Sequence, residues 1–128
     1  MSLYKHRSNH KIITAIIFIA WGIYHFSGGL ENTTYYENGQ VKHIGSKSNS
    51  LNHGQWTWYY DNGQKEMQGN FAQGKRDGIW TTWDRTGNKL TESNYKNDKL
   101  NGTYTTWDAN GNLLSNKIYE DDILVSNN

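Results

Sequence analysis

Gly78-Ile-Trp-Thr-Thr-Trp-Asp-Arg-Thr-Gly87-Asn-Lys-Leu-Thr-Glu-Ser-Asn-Tyr-Lys-Asn-Asp-Lys-Leu-Asn101 decides the fold, because its glycines and rings recur along the chain at a fixed step of 24 residues. Gly54, Gly78 and Gly102 fall in one register, and Gly39, Gly63, Gly87 and Gly111 fall in a second. Between the registers the unit reads Gly-x-Trp/Tyr-x-x-Tyr/Trp. Trp56, Trp80 and Tyr104 carry its first ring and Tyr59, Trp83 and Trp107 its second, with Tyr35 as an outlying copy. A repeat this strict means stacked copies of one supersecondary unit, here over about residues 31–53, 54–77, 78–101 and 102–125.

Each unit carries a turn dipeptide between two strand-like runs: Asn38-Gly39, Asn62-Gly63, Thr86-Gly87 and Asn110-Gly111. Asn-Gly predicts a two-residue type I′ hairpin, whose turn residues both need positive φ; the β-branched Thr86 predicts a longer or bulged third turn. Pairing about the Asn62-Gly63 turn places Tyr60 opposite Lys65, Trp56 opposite Gly69 and Phe71 opposite Gly54. The next units pair Gly78 with Tyr95, Trp83 with Leu90, Gly102 with Tyr119 and Trp107 with Leu114. On this register the repeated glycines leave room for rings of the partner strand.

Alternation along a strand sends Trp56, Trp80 and Tyr104 to one face with Phe71, Tyr95 and Tyr119. Tyr59, Trp83 and Trp107 go to the other with Leu90 and Leu114. The segments Gln73–Asp77 and Asn97–Asn101 read as return loops, and Lys47–Asn52 reads as a polar cap. Ile123–Val125, behind the acids Glu120 to Asp122, reads as a closing edge strand. The predicted fold class is all-β: tandem 24-residue β-hairpin repeats in an elongated antiparallel meander sheet, preceded by an N-terminal hydrophobic helix.

With 128 residues, a hydrophobic share of 34% and a mean hydropathy of −0.92, the chain holds one domain with a thin core. Six Trp and nine Tyr supply most of its large apolar surface. No Cys is present, which excludes disulfides, thiolate metal sites and a lipidated N-terminal Cys. Lys5, Arg7 and Lys11 give residues 1–29 a charge of +3, whereas the ten bases and twelve acids of residues 30–128 give −2. No basic cluster marks the repeats, so nucleic acid is not an expected partner.

Behind the basic flank runs an apolar stretch from Ile12 to Tyr24, followed by His25-Phe-Ser-Gly-Gly29. As a helix, Ile12–Tyr24 would be roughly 20 Å long, short of a bilayer core of about 30 Å, and counting on to Leu30 makes it just long enough. Residues 1–30 are therefore read as a signal-anchor or transmembrane segment, with residues 12–30 in the membrane and the repeats outside, residues 31–128 forming the repeat domain. The alternative is a signal peptide cut near Ser27–Gly29, leaving a secreted or periplasmic product; the weak small-residue pattern there favours the anchor.

The strings Gly54-Gln-Trp-Thr-Trp-Tyr-Tyr-Asp-Asn-Gly63, Gly78-Ile-Trp-Thr-Thr-Trp-Asp-Arg-Thr-Gly87 and Gly102-Thr-Tyr-Thr-Thr-Trp-Asp-Ala-Asn-Gly111 resemble the MORN repeat, and more closely its bacterial variant in YwqK-family antitoxins. Tyr35-Tyr-Glu-Asn-Gly39 is a degenerate fourth copy without a leading Gly-x-Trp strand, and Thr86 replaces the usual Asn. The resemblance covers about residues 33–125. It implies stacked hairpins that act as an interaction surface or membrane-associated scaffold, with no catalytic residues to carry over.

The chemistry-bearing residues are few. Of the five His, His43 and His53 fall within the repeats, and they lack metal-ligand spacing. Asp84 and Asp108 recur one period apart beside turns, a position suited to turn capping. No enzyme, metal site or cofactor is expected. Most rings are expected to fill the core, and the rest to bind, which makes Trp56, Tyr59, Trp80, Trp83, Tyr104 and Trp107 the candidate binding residues. Gly54, Gly63, Gly78, Gly87, Gly102 and Gly111 are the structural ones. The expected partner is a protein, a toxin if the resemblance extends that far, with a cell-wall glycan as the second reading.

Overall fold

The computed structural model describes residues 31–127, so the segment read as an N-terminal helix and anchor, residues 1–30, lies outside the described residues. The described chain is one nine-stranded sheet in which every strand pairs with its sequence neighbour. The strands are β1 (Glu31–Tyr35), β2 (Val41–Ser48), β3 (Leu51–Tyr59), β4 (Lys65–Ala72), β5 (Lys75–Trp83), β6 (Lys89–Lys96), β7 (Lys99–Trp107), β8 (Leu113–Glu120) and β9 (Ile123–Asn127). All eight pairings are antiparallel. The all-β meander required by the repeat is present, and Ile123–Val125 opens the edge strand β9.

The two kinds of turn are distributed the opposite way from the sequence expectation. At the Asn-Gly end, the Tyr60 N–H donates to Gln64 O at 2.8 Å and the Gly63 N–H returns to Tyr60 O at 3.0 Å, and the other three units close identically. Only the glycine takes positive φ there, +85° at Gly63 and +93° at Gly87, whereas Asn62 and Thr86 do not. These are three-residue loops, a type I turn followed by a left-handed glycine. Thr86 is therefore no exception, since its position never asks for positive φ.

The two-residue type I′ hairpins lie at the opposite end. Asn49-Ser50, Gln73-Gly74, Asn97-Asp98 and Asp121-Asp122 all have positive φ at both residues. They join the directly paired Ser48 and Leu51, Ala72 and Lys75, Lys96 and Lys99, and Glu120 and Ile123. The stretches read as return loops, Gln73–Asp77 and Asn97–Asn101, are thus tight turns plus strand, and Lys47–Asn52 is a hairpin rather than a cap.

Far from the loops the expected register holds: Gly54 faces Phe71, Trp56 faces Gly69, Gly78 faces Tyr95 and Gly102 faces Tyr119. Near the loops it slips by one residue. Tyr59, not Tyr60, faces Lys65; Trp83 faces Lys89 rather than Leu90, and Trp107 faces Leu113 rather than Leu114. The three-residue loop and the adjoining register shift account for the slip.

The glycines also divide differently. At Gly54 and Gly78 an added Cβ would meet open space, so these residues make no room for a ring; what they supply is positive φ, +77° at Gly78. Room for rings comes from Gly45 and Gly69, where a Cβ would overlap the indoles of Trp56 and Trp80. Each indole lies on the glycine of the preceding strand and donates its Nε1–H to the next carbonyl, Trp56 to Ser46 at 2.9 Å and Trp80 to Asn70 at 3.1 Å. Register shifts fall at those same points, so the ring covers backbone that the ladder leaves irregular. Trp56 and Trp80, 4% and 5% exposed, are the buried hydrophobic core.

Candidate functional site

Alternation from Trp56 puts Trp58 on the same face, and ring contacts confirm a continuous aromatic patch there. Trp56 and Trp58 lie 5.7 Å apart, Trp58 and Trp80 5.7 Å, Phe71 and Trp80 4.9 Å and edge-on, and Trp80 and Tyr95 6.3 Å. His43 continues the patch at 5.6 Å from Trp56. Tyr104 and Tyr119 form a further edge-on pair at 6.2 Å. T-shaped and offset contacts of this kind are the favoured aromatic geometries.

This indole face carries a groove of about 540 Å³, walled by Trp58, Phe71, Trp80 and Tyr95 and bounded by Arg76 and Tyr104. Its volume lies within the range of about 300–1,000 Å³ usual for ligand clefts. Part of its lining is hydroxyl: Thr82 and Thr91, which share a 2.7 Å hydrogen bond, stand where the preceding hairpin has Trp58 and Met67.

Arg76 is fixed at the groove's edge. Its guanidinium lies 4.0 Å over the Tyr95 ring, its Nε is 3.1 Å from Asp98 Oδ1, and another guanidinium N–H donates to Asp98 O at 3.0 Å. The Arg76 backbone N–H donates to the same carboxylate at 2.8 Å. That amide bond foremost, with the guanidinium, holds the Asp98 carboxyl below its ordinary range. The tight turn thereby anchors a cation that belongs to the strand one repeat earlier.

The second candidate row is elsewhere. Tyr59, Trp83 and Trp107 stand near the three-residue loops on the opposite face, since Lys65, paired with Tyr59, bonds Gln68, which in turn bonds Thr57 Oγ1. Two of these rings are roofed by ammonium groups, Trp83 by Lys65 at 5.6 Å and Trp107 by Lys89 at 5.1 Å. Lys89 also pairs with Glu92 at 2.9 Å. The six candidate binding residues are thus split between two faces. Phe71 and Tyr95 lie on the first face, where alternation had placed them; the structure adds Trp58 and Arg76, and the alternate spacing of Trp-Thr-Trp at 56–58 is the sequence signal that marks Trp58.

The repeated carboxylates cap loops, as their position suggests. Asp84 accepts from the Thr86 hydroxyl at 2.7 Å and from the Thr86 and Asn88 amides at 2.9 Å, and Asp108 accepts from the Asn110 and Asn112 amides. These donors, led by the Thr86 hydroxyl for Asp84 and the Asn112 side chain for Asp108, hold both carboxyls below their ordinary pKa. Such a group is a poor proton donor near neutral pH. His43 spends a ring nitrogen on the Thr34 hydroxyl at 2.9 Å. Among the described residues no three His, Asp or Glu side chains gather as a metal site would need.

An open meander of hairpins on one 24-residue frame, with Trp56 and Trp80 wedged on glycines of the preceding strands, defines a tandem β-hairpin repeat protein. The chain belongs to the MORN-repeat family: the family described as MORN repeat variant matches residues 29–46, 52–73, 76–97 and 100–121, one match for each hairpin from β1–β2 to β7–β8. A search of curated proteins finds no match.

Proposed function

We propose that the protein is a non-enzymatic interaction module that binds a protein partner through the indole face of its sheet. The observation that carries this reading is the ring-walled groove bounded by Arg76, an apolar recess with an oriented cation at its edge. Partially exposed aromatic and Arg side chains are the residue types that dominate protein recognition. Resemblance of the repeat to YwqK-family antitoxins supports the narrower reading, an antitoxin or immunity-type protein whose partner is a toxin. The apolar run of residues 12–30 supports attachment to a membrane with the repeats on its outer side, or export after cleavage.

A glycan-binding module is the second reading, favoured by the hydroxyls of Thr82 and Thr91 beside the rings. It is the weaker one, since sugars stack on open ring faces and the Trp56 and Trp80 indoles are buried against glycine backbone. Crosslinking and affinity purification from native cells separates the two. Protein binding predicts one enriched protein; its absence, together with retention on purified cell wall, overturns the proposal in favour of the glycan. An intact mass lacking the first 27–29 residues would replace the anchor by a cleaved signal.

A further inference from the structure

We propose that the groove of the indole face is built for an acidic protein segment, an extended stretch in which carboxylates flank an aliphatic or aromatic side chain. This deepens the protein-binding reading and rests on it. The carrying observation is a sidedness of the acids that net charge conceals, because residues 30–128 sum to −2. The other face mixes strand acids with most of the strand lysines, Lys75, Lys96 and Lys99 among them, whereas the indole face sets its bases among strand positions without acids.

Cross-strand pairing assigns each strand position to a face. The indole face collects Arg76, which faces Phe71, and Lys117, which faces Tyr104. Lys47 belongs there too, since it stands one 24-residue step before Phe71 and pairs with Asn52 as Phe71 pairs with Arg76. His43 adds an imidazole ring beside Trp56 and Trp58. Among the strand positions paired on this face, from Asn32 and Thr34 to Tyr119 and Leu124, there is no Asp or Glu. The paired strand carboxylates Asp77, opposite Asn70, Glu92, opposite Thr81, and Glu120, opposite Ile123, lie on the other face, where Glu92 is bound to Lys89.

Two turn carboxylates stand at this edge among the described residues: Asp122, bound to the Leu100 amide, and Asp98, whose oxygen is engaged by the Arg76 backbone and Nε. Asp98 therefore acts as a brace: it holds the guanidinium over Tyr95 and leaves the far edge of the planar fork to a second acceptor. A carboxylate arriving there gains a preoriented donor, while its apolar neighbour enters between Trp58, Trp80 and Tyr95. From β3 to β7 the groove crosses four strand spacings, about 19 Å, which equals about six extended residues. The segment runs across the strands, so side chains rather than backbone pairing read it.

Selection from a phage library of random peptides about twelve residues long, twice the groove's span, tests this on the full chain. The expected winners are enriched in Asp and Glu around one aliphatic or aromatic residue. Their affinity falls about tenfold in Trp58→Thr and in Arg76→Gln, is only partly restored in Arg76→Lys, which keeps the charge but not the fork, and is unchanged in Trp83→Ala on the opposite face. Thr already stands at the equivalent positions 82 and 106, so Trp58→Thr keeps the fold, and an unchanged melting temperature verifies this. Neutral or basic winners, or acidic ones indifferent to both Trp58→Thr and Arg76→Gln, overturn the acidic groove and leave protein binding standing. Enrichment of no peptide overturns both.

Discussion

The N-terminal and C-terminal halves of the sheet share one 24-residue frame but hold their repeats together at opposite ends. Up to β5 the stitching is at the three-residue loops, where Tyr36 Oη donates to Tyr59 O at 2.8 Å, Tyr60 Oη to Trp83 O at 2.9 Å, and Asn62 to Arg85 O at 2.9 Å. From the β5–β6 loop onward those tyrosines become Asp84 and Asp108, which close their own loops instead of reaching the next. The stitching moves to the type I′ end, where Asp98 binds Arg76 and Asp122 Oδ1 accepts from the Leu100 amide at 2.7 Å. One backbone bond per turn is common to both halves, seen at Gly74 to Asn52 and Asp122 to Leu100.

The indole face changes across the same boundary. Trp56 on Gly45 and Trp80 on Gly69 give way to Tyr104 opposite Ser93, and Trp58 opposite Met67 gives way to Thr82 with Thr91 and Thr106 with Ser115. One half buries rings on bare backbone; the other pairs hydroxyls. A repeat therefore fixes the backbone frame and leaves each copy free to place apolar area or polar links, and the groove lies where the two solutions meet.

The largest effect is expected from removing a wedge. Trp80→Ala should cost about 3–5 kcal/mol, as Trp truncations in cores do. Tyr104→Ala, in the polar half, should cost clearly less in the same urea titration; equal losses would erase the distinction. Next comes the bed under the wedge. Gly69→Ala places a methyl in the Trp80 ring and should cost about 1–3 kcal/mol or more, as overpacking does. Ser93→Ala, at the same place one repeat on, should shift the melting temperature less because a Cβ is already housed there.

What could be read in advance follows from what period and alternation encode. Both are backbone geometry, so the meander, the pairings of Gly54, Gly78 and Gly102, and the edge strand β9 follow from spacing alone. The turns do not, since Asn-Gly suits a type I′ turn and equally a type I turn followed by a left-handed glycine. Asn97-Asp98 and Asp121-Asp122 are unusual carriers of paired positive φ, so the true type I′ ends look like ordinary polar loops. The period is also blind to what does not repeat. The walls Phe71, Trp80 and Tyr95 are repeat positions, but Trp58 has Thr at its equivalents and Arg76 has Asn52 and Leu100, so the two residues that complete the groove are departures that a consensus averages away.

A smaller effect tests the stitching itself. Tyr60→Phe keeps the ring and removes the bond to Trp83 O, at a cost of about 1 kcal/mol. The smallest is a response to acid. Asp84, Asp98 and Asp108 have folded pKa values below the ordinary 3.8, so their stabilisation is complete above that pH and is lost as pH falls through the lowered values. Amide exchange should therefore quicken in strong acid at Thr86, Asn88, Asn110 and Asn112 before it does at Tyr60 and Gly63.

Partner recovery with three baits bears most directly on the claim that the indole face is the binding face. Crosslinked affinity purification from native cells would compare the unaltered chain with Trp58→Thr on that face and Trp83→Ala on the other. Loss of the partner with Trp58→Thr and its retention with Trp83→Ala is the predicted result. Retention with Trp58→Thr, and above all loss with Trp83→Ala alone, would contradict it and move the site to the lysine-roofed row.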